Sequence, residues 1–208
     1  MTLASSVAGF SGTSVAASRP GSKHTTILVL GDSLSAEYGL RRGTGWVALL
    51  EQKLAAESLA ATVINASISG DTTSGGRARL GALLAQHRPD LVVIELGAND
   101  ALRGLSLELT RDNLNAMVLA AKQAGARVLL LGMQMPPNYG RDYGQRFAQL
   151  YGALAKVHKV GLVPFFLAGV ADDPDSLRWF QPDRIHPIEA AHPRLLANVW
   201  PELKKGLR

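Results

Sequence analysis

The chain contains no cysteine. That excludes disulfides, thiolate-bound metals and a cysteine nucleophile. No apolar run approaches the ~18 residues that a membrane-spanning helix requires. No block of five or more like charges occurs. The 22 Lys and Arg are scattered against 17 Asp and Glu, and the resulting +5 reads as a solvated basic surface, with no nucleic-acid partner expected. Three catalytic signatures are also missing. Gly-x-Ser-x-Gly is absent, which removes an α/β-hydrolase proper. His-Glu-x-x-His and a phosphate loop ending in Gly-Lys-Ser/Thr are absent as well. Gly43 to Ala48 fits a loose dinucleotide pattern. Ser33 to Arg42 separates it from the preceding strand, so a phosphate-binding role fails.

What is present suits one globular domain. The 208 residues are 47% hydrophobic and 19% charged, enough apolar material for a single core. Residues 1–26 differ from the rest: they are small, polar and without helical or strand period. Val15-Ala16-Ala17 resembles a signal-peptide cleavage site. However, no Lys or Arg precedes the apolar part, and Gly9, Ser11 and Gly12 interrupt it. Two readings stay open, a flexible tail and the remnant of an export leader. The second implies a periplasmic or secreted protein, the first allows a cytoplasmic one. The domain itself is expected over 27–208.

Apolar runs and helical periods alternate along that domain. Thr26 to Leu30, Val63 to Ala66, Asp90 to Leu96, Arg127 to Gly132 and Leu162-Val163 read as strands. Helices are expected from Trp46 to Ala56 with Thr44 as N-cap, and from Thr73 to Gln86. Three more are expected from Thr110 to Ala124, Arg141 to Lys159 and Ile188 to Lys205. This alternation predicts an α/β fold, a three-layer α/β/α sandwich around a five-stranded parallel sheet of the flavodoxin-like kind. In such sheets ligands bind beyond the carboxyl ends of the strands.

Four segments follow strands: Gly31-Asp32-Ser33-Leu34-Ser35, Ser67 to Asp71, Gly97-Ala98-Asn99-Asp100, and Pro182 to Pro187. Together they offer a nucleophile, backbone N–H donors, an amide, a base and a carboxylate, the parts of an acyl-transfer site. Taken singly, each has an ordinary explanation. Ser33 is a turn or cap residue, Asn99 and Asp100 suit turns, and Gly70 permits positive φ. Asp183 and His186 are harder to dismiss. In Asp-x-x-His the carboxylate can hold one ring nitrogen and leave the other facing a serine. Asp32, Asp71 and Asp100 also lie at strand ends, which leaves a magnesium-dependent phosphohydrolase as a rival reading. A lipid- or glycan-binding module without turnover is a third.

The four segments, in this order and spacing, resemble the SGNH (GDSL) hydrolase family. They are most similar to its bacterial subgroup of multifunctional thioesterases, lysophospholipases and arylesterases. The matching blocks are Gly31 to Ala36, Ser69-Gly70-Asp71-Thr72, Gly97 to Asp100, and Asp183-Arg184-Ile185-His186-Pro187. Met135 to Gly140 and Pro164-Phe165-Phe166 also resemble that subgroup. The resemblance implies a serine hydrolase for carboxylic esters and thioesters. Ser33 would be its nucleophile, His186 its base and Asp183 the partner of His186. Ser33, Gly70 and Asn99 would form the oxyanion hole, and no metal or organic cofactor would be needed. A carbohydrate acetylesterase of the same family is the alternative. Leu102, Leu105 and Leu107 are candidate acyl-binding residues, with Gly104 allowing that segment to move. One departure stands out: Arg184 occupies a position where the family commonly has glycine. Positive φ there would strain an arginine.

Overall fold

The computed structural model describes residues 24–207. The leader-like segment with Val15-Ala16-Ala17 therefore lies outside the described residues. Five strands form one parallel sheet: β1 (Thr25–Gly31), β2 (Ala61–Asn65), β3 (Leu91–Glu95), β4 (Arg127–Leu131) and β5 (Gly161–Val163). Their order is β2-β1-β3-β4-β5. The chain moves outward from β1 to β2, then crosses back to pair β3 on the other side of β1. The crevice between the ends of β1 and β3 is thus the topological switch point, where open α/β sheets bind ligands.

The helices are α1 (Trp46–Ala56), α2 (Thr73–His87), α3 (Ala98–Leu102), α4 (Leu107–Gln123), α5 (Arg141–His158) and α6 (His192–Lys205). α1 and α6 pack together against the sheet, while α2, α4 and α5 pack side by side as the other layer. This is the expected three-layer α/β/α architecture. No helix among the described residues is long and apolar enough to cross a membrane.

The central strands are apolar because both faces are covered. Ile27, Leu28, Val29 and Leu30 are all fully buried, as are Val92, Val93 and Ile94. Each such side chain stabilises the fold by roughly 1.5–3 kcal/mol. Trp46 meets Phe166 edge-on at 5.5 Å, and Phe147 meets Tyr151 likewise at 5.5 Å, filling the two helical layers.

One cap and two helix starts differ from expectation. Thr44 is not the N-cap of α1. Gly45 is, without a side-chain cap, and the Thr44 hydroxyl donates instead to the Arg41 carbonyl. The acceptor for the first turn comes from far away: His192 Nδ1 accepts the Trp46 N–H at 3.0 Å. α4 begins at Leu107 rather than Thr110, because Ser106 caps it by accepting from Leu109 N–H. The last helix begins at His192 rather than Ile188. Glu189–Ala191 form a 3-10 turn, and Pro193 sits in the first turn of α6, where its missing N–H leaves no helical bond unmade.

Candidate active site

Ser33 lies in the turn that leaves β1. The strand runs straight into it, and the turn is closed by bonds from Ser35 N–H and Ala36 N–H to the Asp32 carbonyl. Asp32 itself is buried, and its carboxylate accepts from Leu34 N–H at 3.0 Å. The other oxygen accepts from the Asn99 side-chain amide, also at 3.0 Å. Asn99 stands in the single turn of α3. Gly97 turns the chain into that helix at φ 117°, in a place where a Cβ would lie 2.5 Å from the Tyr151 hydroxyl. Only glycine fits both conditions.

The turn after β2 is tied to the same spot. Ile68 N–H bonds to the Gly31 carbonyl at 3.0 Å, and Gly70 follows at φ 78°. Arg103 donates to the Gly70 carbonyl at 2.9 Å, which orients that peptide. Among the described residues, Ser33 N–H and Gly70 N–H have no acceptor, and one amide hydrogen of Asn99 is likewise free. Three donors held at one edge without an acceptor are what a developing oxyanion needs.

His186 arrives on the long segment after β5. Its Nε2 lies 2.8 Å from Ser33 Oγ and its Nδ1 lies 2.6 Å from Asp183 Oδ2. The other Asp183 oxygen accepts from Ile185 N–H and His186 N–H. Partial burial pushes the Asp183 carboxyl up, but the bonds from the His186 ring and the two amides outweigh it. The group is held at about 2. An ionised carboxylate only accepts, so Nδ1 carries the ring proton and the Nε2 lone pair faces the serine hydroxyl. Ser33, Asp183 and His186 therefore meet across 153 positions of chain, and Asn99 is joined to the Ser33 turn through Asp32.

The segment carrying His186 is pinned by bonds the sequence did not reveal. Phe180 and Pro187 pair as an antiparallel bridge. The Gln181 amide donates to the Tyr38 and Pro187 carbonyls. The Tyr38 ring lies over the imidazole, centroids 4.3 Å apart. Arg184 does adopt φ 58°, the left-handed conformation its position demands. For a non-glycine residue this costs roughly 1–2 kcal/mol.

The acyl-binding candidates separate. Leu102 is half-buried at the end of α3 and Leu105 is exposed on the following turn. Leu107 is buried in the core, because the earlier start of α4 turns it inward. Its edge reaches only a depression of about 290 Å³ between α4 and α5, shared with Arg146 and Leu150. Exposed Ile68 and Ile185 were not singled out from sequence, yet Ile68 bonds to Gly31 two residues before Gly70 and Ile185 directly precedes His186.

The three strand-end aspartates go to separate donors. Asp32 takes Leu34 N–H and Asn99, Asp71 takes Thr72 N–H and Arg79, and Asp100 takes the Thr73 amide and hydroxyl. Among the described residues, no three His, Asp or Glu side chains gather in a way that would hold a metal ion. A phosphohydrolase built on these aspartates has no carboxylate cluster to start from.

Comparison with known proteins agrees with this geometry. The chain is 55% identical over 179 residues to the esterase TesA of Pseudomonas aeruginosa, covering 86% of this chain and 88% of that protein. A crystal structure of TesA superposes with a TM-score of 0.83, over 87% of this chain and 99% of that one, at 55% identity. An arylesterase of Vibrio mimicus is 46% identical over 87% of this chain and 89% of its own length. Thioesterase 1/protease 1/lysophospholipase L1 of Escherichia coli K12 is 45% identical over 81% and 78%. The sequence profile of the GDSL-like lipase/acylhydrolase family matches residues 29–194. With four motif blocks folded onto one sheet edge and a profile match across most of the domain, the chain belongs to the GDSL-like lipase/acylhydrolase family.

Proposed function

We propose that the protein hydrolyses carboxylic esters and thioesters of acyl substrates through an acyl-enzyme on Ser33. The observation that carries this is the 2.8 Å contact of His186 Nε2 with Ser33 Oγ, with Asp183 on the opposite ring nitrogen. Ser33 Oγ attacks the carbonyl carbon as its proton passes to Nε2. The oxyanion is received by Ser33 N–H, Gly70 N–H and the Asn99 amide. Asp183 stabilises the imidazolium, which then protonates the leaving alcohol or thiol. A water, deprotonated by His186, releases the acid. The names of the relatives span esters, thioesters and lysophospholipids, in keeping with a site that grips the carbonyl and leaves the leaving group to solvent.

Acyl chains of medium or long length are the substrates we infer, received by the apolar rim of Ile68, Leu102, Leu105 and Ile185. A panel of p-nitrophenyl esters from acetyl to dodecanoyl tests this. Rates that peak at acetyl would favour a carbohydrate acetylesterase instead. The nucleophile is tested by Ser33→Ala, expected to lose at least ~10⁴-fold in kcat with an unchanged circular dichroism spectrum. Full activity in the folded variant would refute the mechanism. Export to the periplasm or beyond is inferred from residues 1–26. A mature amino terminus beginning just after Ala17, found by mass spectrometry, would support it.

A further inference from the structure

β3 is an apolar strand that ends in Glu95, and Glu95 is fully buried. The central strand of a covered parallel sheet is the costliest place for an unpaired carboxylate. Among the described residues, its hydrogen-bond partners are neutral groups with no cation among them. Oε2 accepts from the Ser35 hydroxyl at 2.8 Å and from Asp32 N–H at 3.3 Å. The Trp46 indole N–H donates in turn to Ser35 Oγ at 3.0 Å, so the serine proton is committed to Glu95. Oε1 has no donor. Gly31, paired with Glu95 in register, is required here, since a Cβ would come within 2.9 Å of Oε2.

The second acid is Asp32, also almost fully buried, whose own N–H bonds to Glu95 Oε2, so the two acids share one buried pocket. Both Asp32 oxygens accept: one from Leu34 N–H beside the nucleophile, one from the Asn99 amide. Other titratable groups surround the pair. Tyr151 and Asp100 lie on the α3–α5 side, and His186 faces Asp32 from across the site. Arg79 reaches the Gly31 carbonyl, but its charge is taken by Asp71. Two buried acids side by side with no free cation cannot both ionise at modest cost.

We propose that Glu95 and Asp32 share one proton between their carboxyls, and that this pair is a positioning device for the oxyanion hole. Resting on the serine-hydrolase reading above, it adds what holds Asn99 and the Ser33 turn in place. The shared proton fixes the Asp32 carboxylate, which fixes one hydrogen of the Asn99 amide and leaves the other for the substrate. It also limits the floor of the hole to a single negative charge, where two would oppose the developing oxyanion. Burial acts in the same direction: it raises Glu95 well above the carboxylate range, and raises Asp32 to about 6 against its hydrogen bonds.

The test compares Glu95→Gln with Glu95→Ala in the full-length protein. Gln keeps a donor for Asp32 and an acceptor for Ser35, without charge, and is expected to retain kcat within about threefold. Ala is expected to lose roughly tenfold or more in kcat with KM within about twofold, the signature of a lost transition-state interaction. At alkaline pH the wild type should lose kcat as the shared proton leaves, and Glu95→Gln should not. Infrared spectroscopy at neutral pH should show a buried protonated carboxyl that is missing in Glu95→Gln. Absence of that band in the wild type, or a Glu95→Gln protein as impaired as a folded Glu95→Ala, would overturn the proposal. The infrared measurement needs no turnover. If Ser33→Ala stayed active, the serine mechanism would fall while this readout still judged the pair.

Discussion

The two halves of the site are held in different ways. Ser33, Gly70 and Asn99 stand on the ends of β1, β2 and β3, and their turns are tied to one another by Asp32 and Gly31. His186 and Asp183 stand on a segment 20 or more residues beyond β5, held by the Phe180–Pro187 bridge with its backbone bonds, by Gln181 and by a ring contact. Asp183 is still 37% exposed. The contrast follows the chemistry. Oxyanion donors stabilise best when they need not reorganise during reaction, so they belong on the most rigid frame.

Perturbing each half should reveal the difference. The largest effect is expected in the sheet-anchored half. Asn99→Ala removes one donor and should cost about 3–4 kcal/mol of barrier, ~100–1000-fold in kcat, with a smaller loss of stability, about 1–3 kcal/mol, from the bond to buried Asp32. Steady-state kinetics beside a melting curve checks this, and a large fall in Tm would mean that Asn99 is mainly structural.

Next comes the far anchor of the loop-held half. His192 is buried and must be neutral to accept the Trp46 N–H; burial lowers it from 6.5 to about 4. A histidine depressed in the folded state contributes stability that is complete above the unfolded value. That stability is lost as pH falls from about 6.5 through about 4, on the order of 3 kcal/mol in all. Urea titrations across that window should show wild-type stability falling with acid, and His192→Gln should flatten the slope. Equal slopes would remove His192 from the anchor.

The smallest effect concerns Arg184, strained at φ 58°. Arg184→Gly should raise stability by up to about 1 kcal/mol, seen as an increase in Tm, with kcat within about twofold. A drop in Tm would show that the arginine side chain anchors the loop after all.

Much of this was legible in the residues. Alternating strand and helix patterns set the layers, and the short motifs at strand ends located Ser33, Gly70, Asn99, Asp183 and His186. Local signals did this: a glycine where φ is positive, a carboxylate three residues from a histidine. Glu95 passed as part of an apolar run, although a lone acid inside a doubly covered strand is itself a signal. Tyr38, Gln181 and His192 gave no local sign, because each acts on a partner more than 140 positions away. The burial of Leu107 had no local sign, because it depends on α4 starting at the Ser106 cap.

The order of residues alone determined which elements form and which chemical groups reach the carboxyl edge of the sheet, since periodicity and turn chemistry act between near neighbours. Tertiary structure decided which nitrogen of His186 faces Ser33, which buried acid lies beside Asp32, and which imidazole accepts from the first turn of α1. Those outcomes depend on distances between segments remote in the chain, and only the packed sheet brings them within hydrogen-bonding reach.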